Sequence, residues 1–356
     1  MSEGWTTPGA DQGGPARQAQ HGQPQGPPPY GQFAPRQPVA VKPGIVPLRP
    51  LGLGEIYDGA FQAIRRNPRT MLATAAGVII VLAVIDVLLQ LALAGSLSTL
   101  LDTSAQAEPA MEEVVGAVGG LGVYGLVSGL LNLFGISVIT GMLILVVSRA
   151  VLGQRMSLGQ LWTALRPRLL ALFGINLVVL LAWFLAFVVP VAVGLLGFVV
   201  AEWLGALLIL LGLIGGAAAA IFLYTKLSMA VPAMVLEEAG IGTALGRTWG
   251  LVRGSFWRVL GILLLTAIIS WITAAIISAP FGLLGGGLVF MNPDDALAAA
   301  GLSPLQLVLG AVGTIIANTI VYPFTAAVTA LLYIDLRMRR EGLDVELARA
   351  AGPPVA

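Results

Sequence analysis

Cysteine is absent from this 356-residue chain, histidine occurs once, and charged side chains make up only 10% of the residues. Without cysteine the chain has no disulfide, thiolate zinc site or cysteine nucleophile. The single histidine, His21, excludes any site that needs clustered imidazoles. We therefore expect no enzymatic activity and no cofactor.

Hydrophobic residues make up 57% of the chain. A soluble globular protein usually carries about 25% charged residues, so this composition cannot supply a water-facing surface. The sequence therefore predicts an integral membrane protein, whose partner is the lipid bilayer and not nucleic acid.

The two ends of the chain differ from its centre in composition. Residues 1–44 are dominated by Gly, Pro and Gln, and so little aliphatic surface cannot offset the entropy of ordering the chain. We predict a disordered cytoplasmic tail there, which either is simply solvated or docks a partner in polyproline II form. Residues 45–347 are predicted to form the membrane domain, and residues 348–356 a flexible C-terminus.

The membrane domain contains six long stretches that are almost free of charge. A helix rises 1.5 Å per residue, so about 20 apolar residues cross the hydrocarbon layer. This predicts an all-α protein with six spans, near residues 71–94, 122–147, 169–191, 205–227, 259–280 and 304–333. Pro190 and Gly194 favour a break between the third and fourth spans, before Glu202.

The 19 Lys and Arg all fall on one side of these spans. They precede the first span or lie after the second, fourth and sixth, whereas the other three connections carry acidic residues such as Glu112, Glu202 and Asp294. Basic residues near span ends are retained in the cytoplasm. We therefore predict a multi-pass plasma-membrane protein with both termini cytoplasmic.

An amphipathic segment precedes the first, third and fifth spans, at residues 53–66, 157–166 and 241–256. Apolar side chains recur at helical spacing in each, with arginines on the opposite side, and Ser157 with Gln160 forms a capping-box pattern. We expect interfacial helices drawn to anionic inner-leaflet lipid, and either a threefold repeat of helix plus hairpin or ordinary basic connections. The candidate lipid contacts are Arg65, Arg66, Arg166, Arg168, Arg253, Arg258 and Arg337.

A few polar side chains fall inside the predicted spans. Asp86 is the most costly of them, since a carboxylate in the hydrocarbon costs at least about 2.5 kcal/mol, and Gln90 follows one turn later. Asp86 either makes a structural hydrogen bond to an amide or serves as a proton or ion site. The candidate polar residues are Asp86, Gln90, Asn132, Asn176 and Asn318, with Thr319 and Tyr322 as further members of a possible polar path.

Three stretches near the basic ends of the spans carry a family resemblance: Pro47 to Phe61, Thr248 to Arg258, and Tyr333 to Asp344. They resemble the actinobacterial membrane proteins known as the glycerophosphoryl diester phosphodiesterase membrane domain, over about residues 44–347. The resemblance implies a helical membrane domain that is associated with a catalytic domain in other proteins. It implies no active-site residue in this chain.

Three functions compete on these observations. The first is a non-enzymatic scaffold or lipid-interacting module, with a possible membrane or cytoplasmic protein partner. The second is a transporter or channel that uses a polar path near Asp86. The third, a lipid-modifying enzyme, would rely on paired acids such as Asp294 and Asp295 without a basic partner nearby.

Overall fold

The computed structural model describes residues 45–47, 49–106, 111–291 and 301–342. The predictions for the tail at 1–44, for the C-terminus at 348–356 and for Asp294 and Asp295 lie outside these residues. All described residues belong to one compact unit, and within them the secondary structure is helical, with no strand.

Ten α-helices and one 3₁₀ turn are described. The helices are α1 (Leu53–Arg66), α2 (Pro68–Gln106), α3 (Met111–Val151), α4 (Leu158–Leu165), α5 (Leu169–Phe198), α6 (Glu202–Leu227), α7 (Ala230–Glu237), α8 (Ile241–Val252), α9 (Phe256–Met291) and α10 (Pro304–Glu341); the 3₁₀ turn, Arg166–Arg168, links α4 to α5. Six segments are long and apolar enough to cross a membrane: Pro68–Gly95, Val115–Val151, Leu158–Phe198, Glu202–Glu237, Phe256–Gly287 and Pro304–Glu341. The prediction of an all-α protein with six spans is confirmed.

The third and fourth spans form a tight hairpin. The break falls before Glu202 as predicted, but α5 continues past Pro190 and ends at Phe198. The two helices approach closely because glycines face backbone across the contact: a Cβ built on Gly216 would lie 2.6 Å from the carbonyl oxygen of Ala186. The third span therefore extends beyond its predicted end at residue 191, because close packing along the hairpin holds the helix together past the proline.

The amphipathic segments form helices, but only part of each apolar face packs against the protein and the rest is exposed. In α1, Ile56 and Ala60 are fully buried in the bundle, whereas Phe61 is 54% exposed. In α4, Leu161 is buried and Trp162 is 47% exposed. The sequence pattern cannot separate a face that packs on protein from one that meets lipid, because both need apolar side chains.

Near the third amphipathic segment, one helix end differs from the prediction and one helix was not predicted. Helix α8 ends at Val252, not at 256, because Gly254 adopts a left-handed conformation (φ 81°) that L-residues rarely adopt. The short helix α7 was not predicted at all. Its apolar residues are buried, but eight residues are too few for a periodic signal. The threefold repeat stays a prediction.

The described basic residues gather at one end of the bundle, called the basic end, where α2, α5 and α9 begin and α3, α6 and α10 end. The core lies toward the same end: Tyr333 is the largest fully buried side chain, and α10 is mostly buried from Pro323 to Leu336. The opposite halves of the long helices are more exposed. Of the predicted polar residues, Gln90 and Asn318 lie there, whereas Asn176 lies in the half of α5 nearer the basic end.

Candidate functional site

Asp86 lies on α2 and joins it to α3 through hydrogen bonds. Its carboxylate accepts from Ser128 Oγ at 2.6 Å, from Gln90 Nε2 at 2.7 Å and from Tyr124 Oη at 3.3 Å. Gln90 shares the helix face one turn on, as the spacing predicted. The expected hydrogen bond to an amide is present and comes from Gln90; the amides of Asn132, Asn176 and Asn318 are not among the described donors to Asp86. Hydroxyl groups of α3 supply the other two contacts.

The hydroxyl partners of Asp86 follow a helical spacing that the sequence carried. Tyr124, Ser128 and Asn132 are each four residues apart on α3, so they share one helix face. The Asn132 amide donates to the backbone oxygen of Ser128 at 2.9 Å, and so it belongs to the same network one step from Asp86. A search for polar residues at four-residue spacing would have found Tyr124 and Ser128.

A cavity of about 300 Å³ opens beside this network, between α2, α3 and the first half of α10. Four of the five predicted polar residues line it: Asp86, Gln90, Asn132 and Asn318. Helix α10 contributes a stripe at four-residue spacing, formed by Gln306, Gly310, Thr314, Asn318 and Tyr322. Thr314 and Asn132 are exposed, so the cavity reaches the surface of the bundle.

The fifth predicted residue, Asn176, lies in a second cavity. Its amide donates to Ser137 Oγ at 2.9 Å and to the Leu172 oxygen at 3.0 Å. This cavity measures about 350 Å³ and extends toward the basic end. Its polar lining residues are Thr140, Asn176, Tyr224, Ser228, Tyr322, Thr325 and Thr329. Tyr322 therefore lines both cavities.

Carboxylates at the basic end bind several of the predicted lipid-contact arginines. Asp335 is fully buried and accepts from Arg258 at 2.8 Å, from Arg339 Nε at 2.9 Å and from the Leu51 backbone N–H at 2.7 Å. It ties together the chain before α1, the start of α9 and the end of α10. A charge buried in this way is held by its partners, because an unpaired one would be strongly destabilising.

A second ionic cluster forms around Glu237, at the end of α7. Glu237 pairs with Arg247 and with Arg337 (3.4 Å), accepts from the Tyr333 hydroxyl, and both arginines also pair with Glu341. Burial lowers the pKa of Arg247, but the hydrogen bond and negative charge of Glu237, with the charge of Glu341, outweigh it and raise the pKa above its ordinary value. The two carboxylates therefore favour the charged form of Arg247.

The seven predicted lipid contacts thus divide into two groups. Arg168, Arg258 and Arg337 bind carboxylates of the same chain, namely Glu238, Asp335 and the Glu237–Glu341 pair. Arg65, Arg66, Arg166 and Arg253 are exposed. Sequence reasoning could not separate the groups, because the carboxylates that bind Arg168 and Arg258 come from distant parts of the chain; the Arg337–Glu341 pair at four-residue spacing is local and could have been predicted.

Comparisons with known proteins identify a family and no activity. In comparisons with curated proteins and with solved structures, nothing matches the chain significantly. A family model described as a domain of unknown function, DUF7847, matches residues 53–336, a range that includes both cavities and the ionic cluster residues up to Asp335. The chain belongs to the DUF7847 family.

Proposed function

We propose that the protein binds a small cation or protonated amine in the Asp86 cavity and moves it across the membrane, without catalysing a reaction. Among the described lining residues of that cavity, Asp86 carries the one formal charge. An ionisable side chain inside a membrane span is a functional hypothesis by default, because it is costly to keep there. A lone carboxylate in a low-dielectric cavity attracts positive charge.

The observation that carries the proposal is the length of the polar lining. Together the two cavities follow α10 from Gln306 to Thr329, and a helix of that length spans about 34 Å at 1.5 Å per residue. The hydrocarbon core of a bilayer is about 30 Å thick. Small residues alone allow membrane helices to pack closely, so packing does not require a polar lining of this extent.

Tyr322 is the barrier in this proposal. It lines both cavities, and Pro323 follows it inside α10, where a proline removes a backbone hydrogen bond and loosens the helix. Tyr322 thus lies at the boundary of the two cavities and next to a weak point of its helix. This position suits a gate that opens the binding site to one side of the membrane or to the other. The solute would bind on the Asp86 side and pass when Tyr322 moves.

Binding of radiolabelled methylammonium to the purified protein, measured by a scintillation proximity assay, tests the proposal. The variant Asp86→Asn keeps the shape of the side chain and removes its charge, and it should bind at least tenfold more weakly, as expected for a lost charge pair in a partly buried site. Asp58→Asn, the same change at an exposed position on α1, is the matched control and should bind like the wild type. Equal binding by both variants would contradict the proposal.

We also propose that the basic end faces the cytoplasm of a plasma-membrane protein. The described basic residues lie at the starts of α2, α5 and α9 and at the ends of α3, α6 and α10, which is the distribution that retention of positive charge favours. In this orientation the Asp86 cavity opens toward the outer half of the membrane.

A scaffold or lipid-interacting module is the second candidate function, and the exposed groups at the basic end favour it. Arg65 and Arg66 are exposed there, and Leu158 and Trp162 are 47% exposed on the neighbouring α4. The resemblance to the phosphodiesterase-associated membrane domain suits either candidate, because neither needs a catalytic residue. Preferential binding of phosphatidylglycerol over phosphatidylcholine would support this second candidate, and equal binding of the two would oppose it.

A further inference from the structure

A basic cavity of about 570 Å³ lies where α1 passes into α2 and the α3–α4 connection folds against them. Its lining includes four arginines, Arg65, Arg66, Arg69 and Arg155, and no acidic residue. A smaller cavity of about 200 Å³ adjoins it and shares Arg66 and Arg155. We call the four arginines and the space between them the arginine basin.

These arginines differ from most of the others at the basic end. Arg168, Arg247, Arg258, Arg337 and Arg339 each pair with a carboxylate of the chain. Within the described part of the chain, no ion pair or side-chain hydrogen bond holds the four guanidinium groups of the basin. Four like charges around one cavity repel one another, so their arrangement favours an anion between them.

The backbone also contributes positive electrostatic potential to the arginine basin. Helix α2 begins at Pro68 and α4 begins after its N-cap Ser157, and both residues line the basin. The N-terminus of a helix carries a partial positive charge and attracts anions. The Thr70 hydroxyl donates to the Met156 oxygen at 3.3 Å and so holds the two helix starts beside each other.

The depth of the basin indicates which anion it takes. Arg69 is the last charged residue before the apolar run of α2, so the basin lies where the hydrocarbon layer gives way to headgroups. Leu158 and Trp162 present exposed apolar surface on the helix whose N-cap lines the basin. Guanidinium groups bind phosphate through paired N–H donors, and apolar side chains at this depth contact acyl chains.

We infer that the arginine basin is a binding site for the phosphate of an anionic phospholipid headgroup. The inference deepens the second candidate function, the lipid-interacting module, and rests on it; it does not depend on the Asp86 cavity. It adds Arg69 and Arg155 to the predicted lipid contacts. It also distinguishes binding at a defined site from the diffuse attraction of exposed arginines to the membrane surface.

The test is native mass spectrometry of the purified protein in detergent, where no charged bilayer surface contributes. The double variant Arg66→Gln/Arg155→Gln removes two charges from the basin, and Arg166→Gln/Arg253→Gln removes two from exposed positions outside it. Loss of two basic contacts should weaken phosphatidylglycerol binding by about thirtyfold in the basin variant. Arg166 and Arg253 are predicted to contact a charged bilayer surface but do not line the basin, so in detergent the control variant should bind like the wild type.

Each alternative outcome overturns a different statement. Equal weakening in both double variants would exclude a site and leave only diffuse attraction, with the lipid-interacting function intact. Equal binding of phosphatidylglycerol and phosphatidylcholine by the wild type would oppose that function itself. Displacement of phosphatidylglycerol by inorganic phosphate would assign the basin to a free anion and overturn the lipid headgroup. Neither double variant should unfold at a lower temperature than the wild type, since the exchanged side chains have no described partners.

Discussion

The carboxylate of Asp335 and the guanidinium of Arg258 lie 2.8 Å apart although the residues are 77 positions apart in sequence. Arg258 also donates to the Leu51 carbonyl oxygen at 2.8 Å, and the Leu51 N–H donates to Asp335. One buried acid thereby fixes the chain before α1 onto the last hairpin of the bundle. The basic end depends on this carboxylate for its arrangement.

Asp335→Ala should therefore destabilise the protein strongly. It removes the acceptor of two arginines and one backbone N–H, and breaking a buried ion pair by removing one partner costs about 3 to 5 kcal/mol. The melting temperature in detergent measures the effect. Asp58→Ala, at an exposed acid on α1, should leave the melting temperature unchanged, and equal melting of the two variants would show that the Asp335 contacts are not stabilising.

The Asp86 network should couple α2 to α3. Ser128→Ala removes the shortest described donor to Asp86, at 2.6 Å, and polar contacts between membrane helices contribute about 0.6 to 1.7 kcal/mol each. A double-mutant cycle of Ser128→Ala with Asp86→Ala, which removes the acceptor, followed by denaturation in detergent, measures the coupling free energy. A coupling near zero would mean that the two side chains do not stabilise each other.

Adjacent glycines on α6 should respond differently to the same substitution. A Cβ at Gly216 would lie 2.6 Å from the Ala186 carbonyl oxygen, whereas a Cβ at Gly215 meets nothing within 4 Å. Gly216→Ala should cost about 1 to 3 kcal/mol of unfolding free energy through overpacking, and Gly215→Ala should be neutral or stabilise by up to about 1 kcal/mol. Similar unfolding free energies for both variants would contradict the close approach of α5 and α6.

The absence of cysteine makes the proposed orientation simple to test, because any introduced thiol is the single one. A membrane-impermeant maleimide applied to intact cells should label Glu202→Cys, at the start of α6, and leave Gln154→Cys, in the α3–α4 connection, unlabelled. Both should react after the cells are opened. Labelling of Gln154→Cys in intact cells would reverse the orientation.

The sequence predicts the features of this fold that depend on local composition. Six spans follow from length and hydropathy, and the capping box of Ser157 and Gln160 is present, with the Ser157 N–H donating to Gln160 Oε1 at 3.0 Å. The predicted polar set largely converges, since Asp86, Gln90, Asn132 and Asn318 line one cavity. Their residue types alone mark them out in an apolar chain.

The parts that sequence misses depend on pairings between distant helices. Arg337 pairs with Glu341 on its own helix, but its second partner, Glu237, comes from another helix 100 residues away in sequence. Arg69 and Arg155 were passed over because only the fold brings them into one basin. No local pattern identifies Tyr322 as the residue that lines both cavities, because that role follows from where α10 lies between its neighbours.

Uptake of methylammonium into liposomes that contain the purified protein, driven by a membrane potential that is negative inside, measures the proposed transport directly. We expect uptake by the wild type and by Asp58→Asn, and loss of uptake in Asp86→Asn, when equal amounts of each protein are inserted. Uptake by Asp86→Asn at the wild-type rate, or none by the wild type, would contradict it.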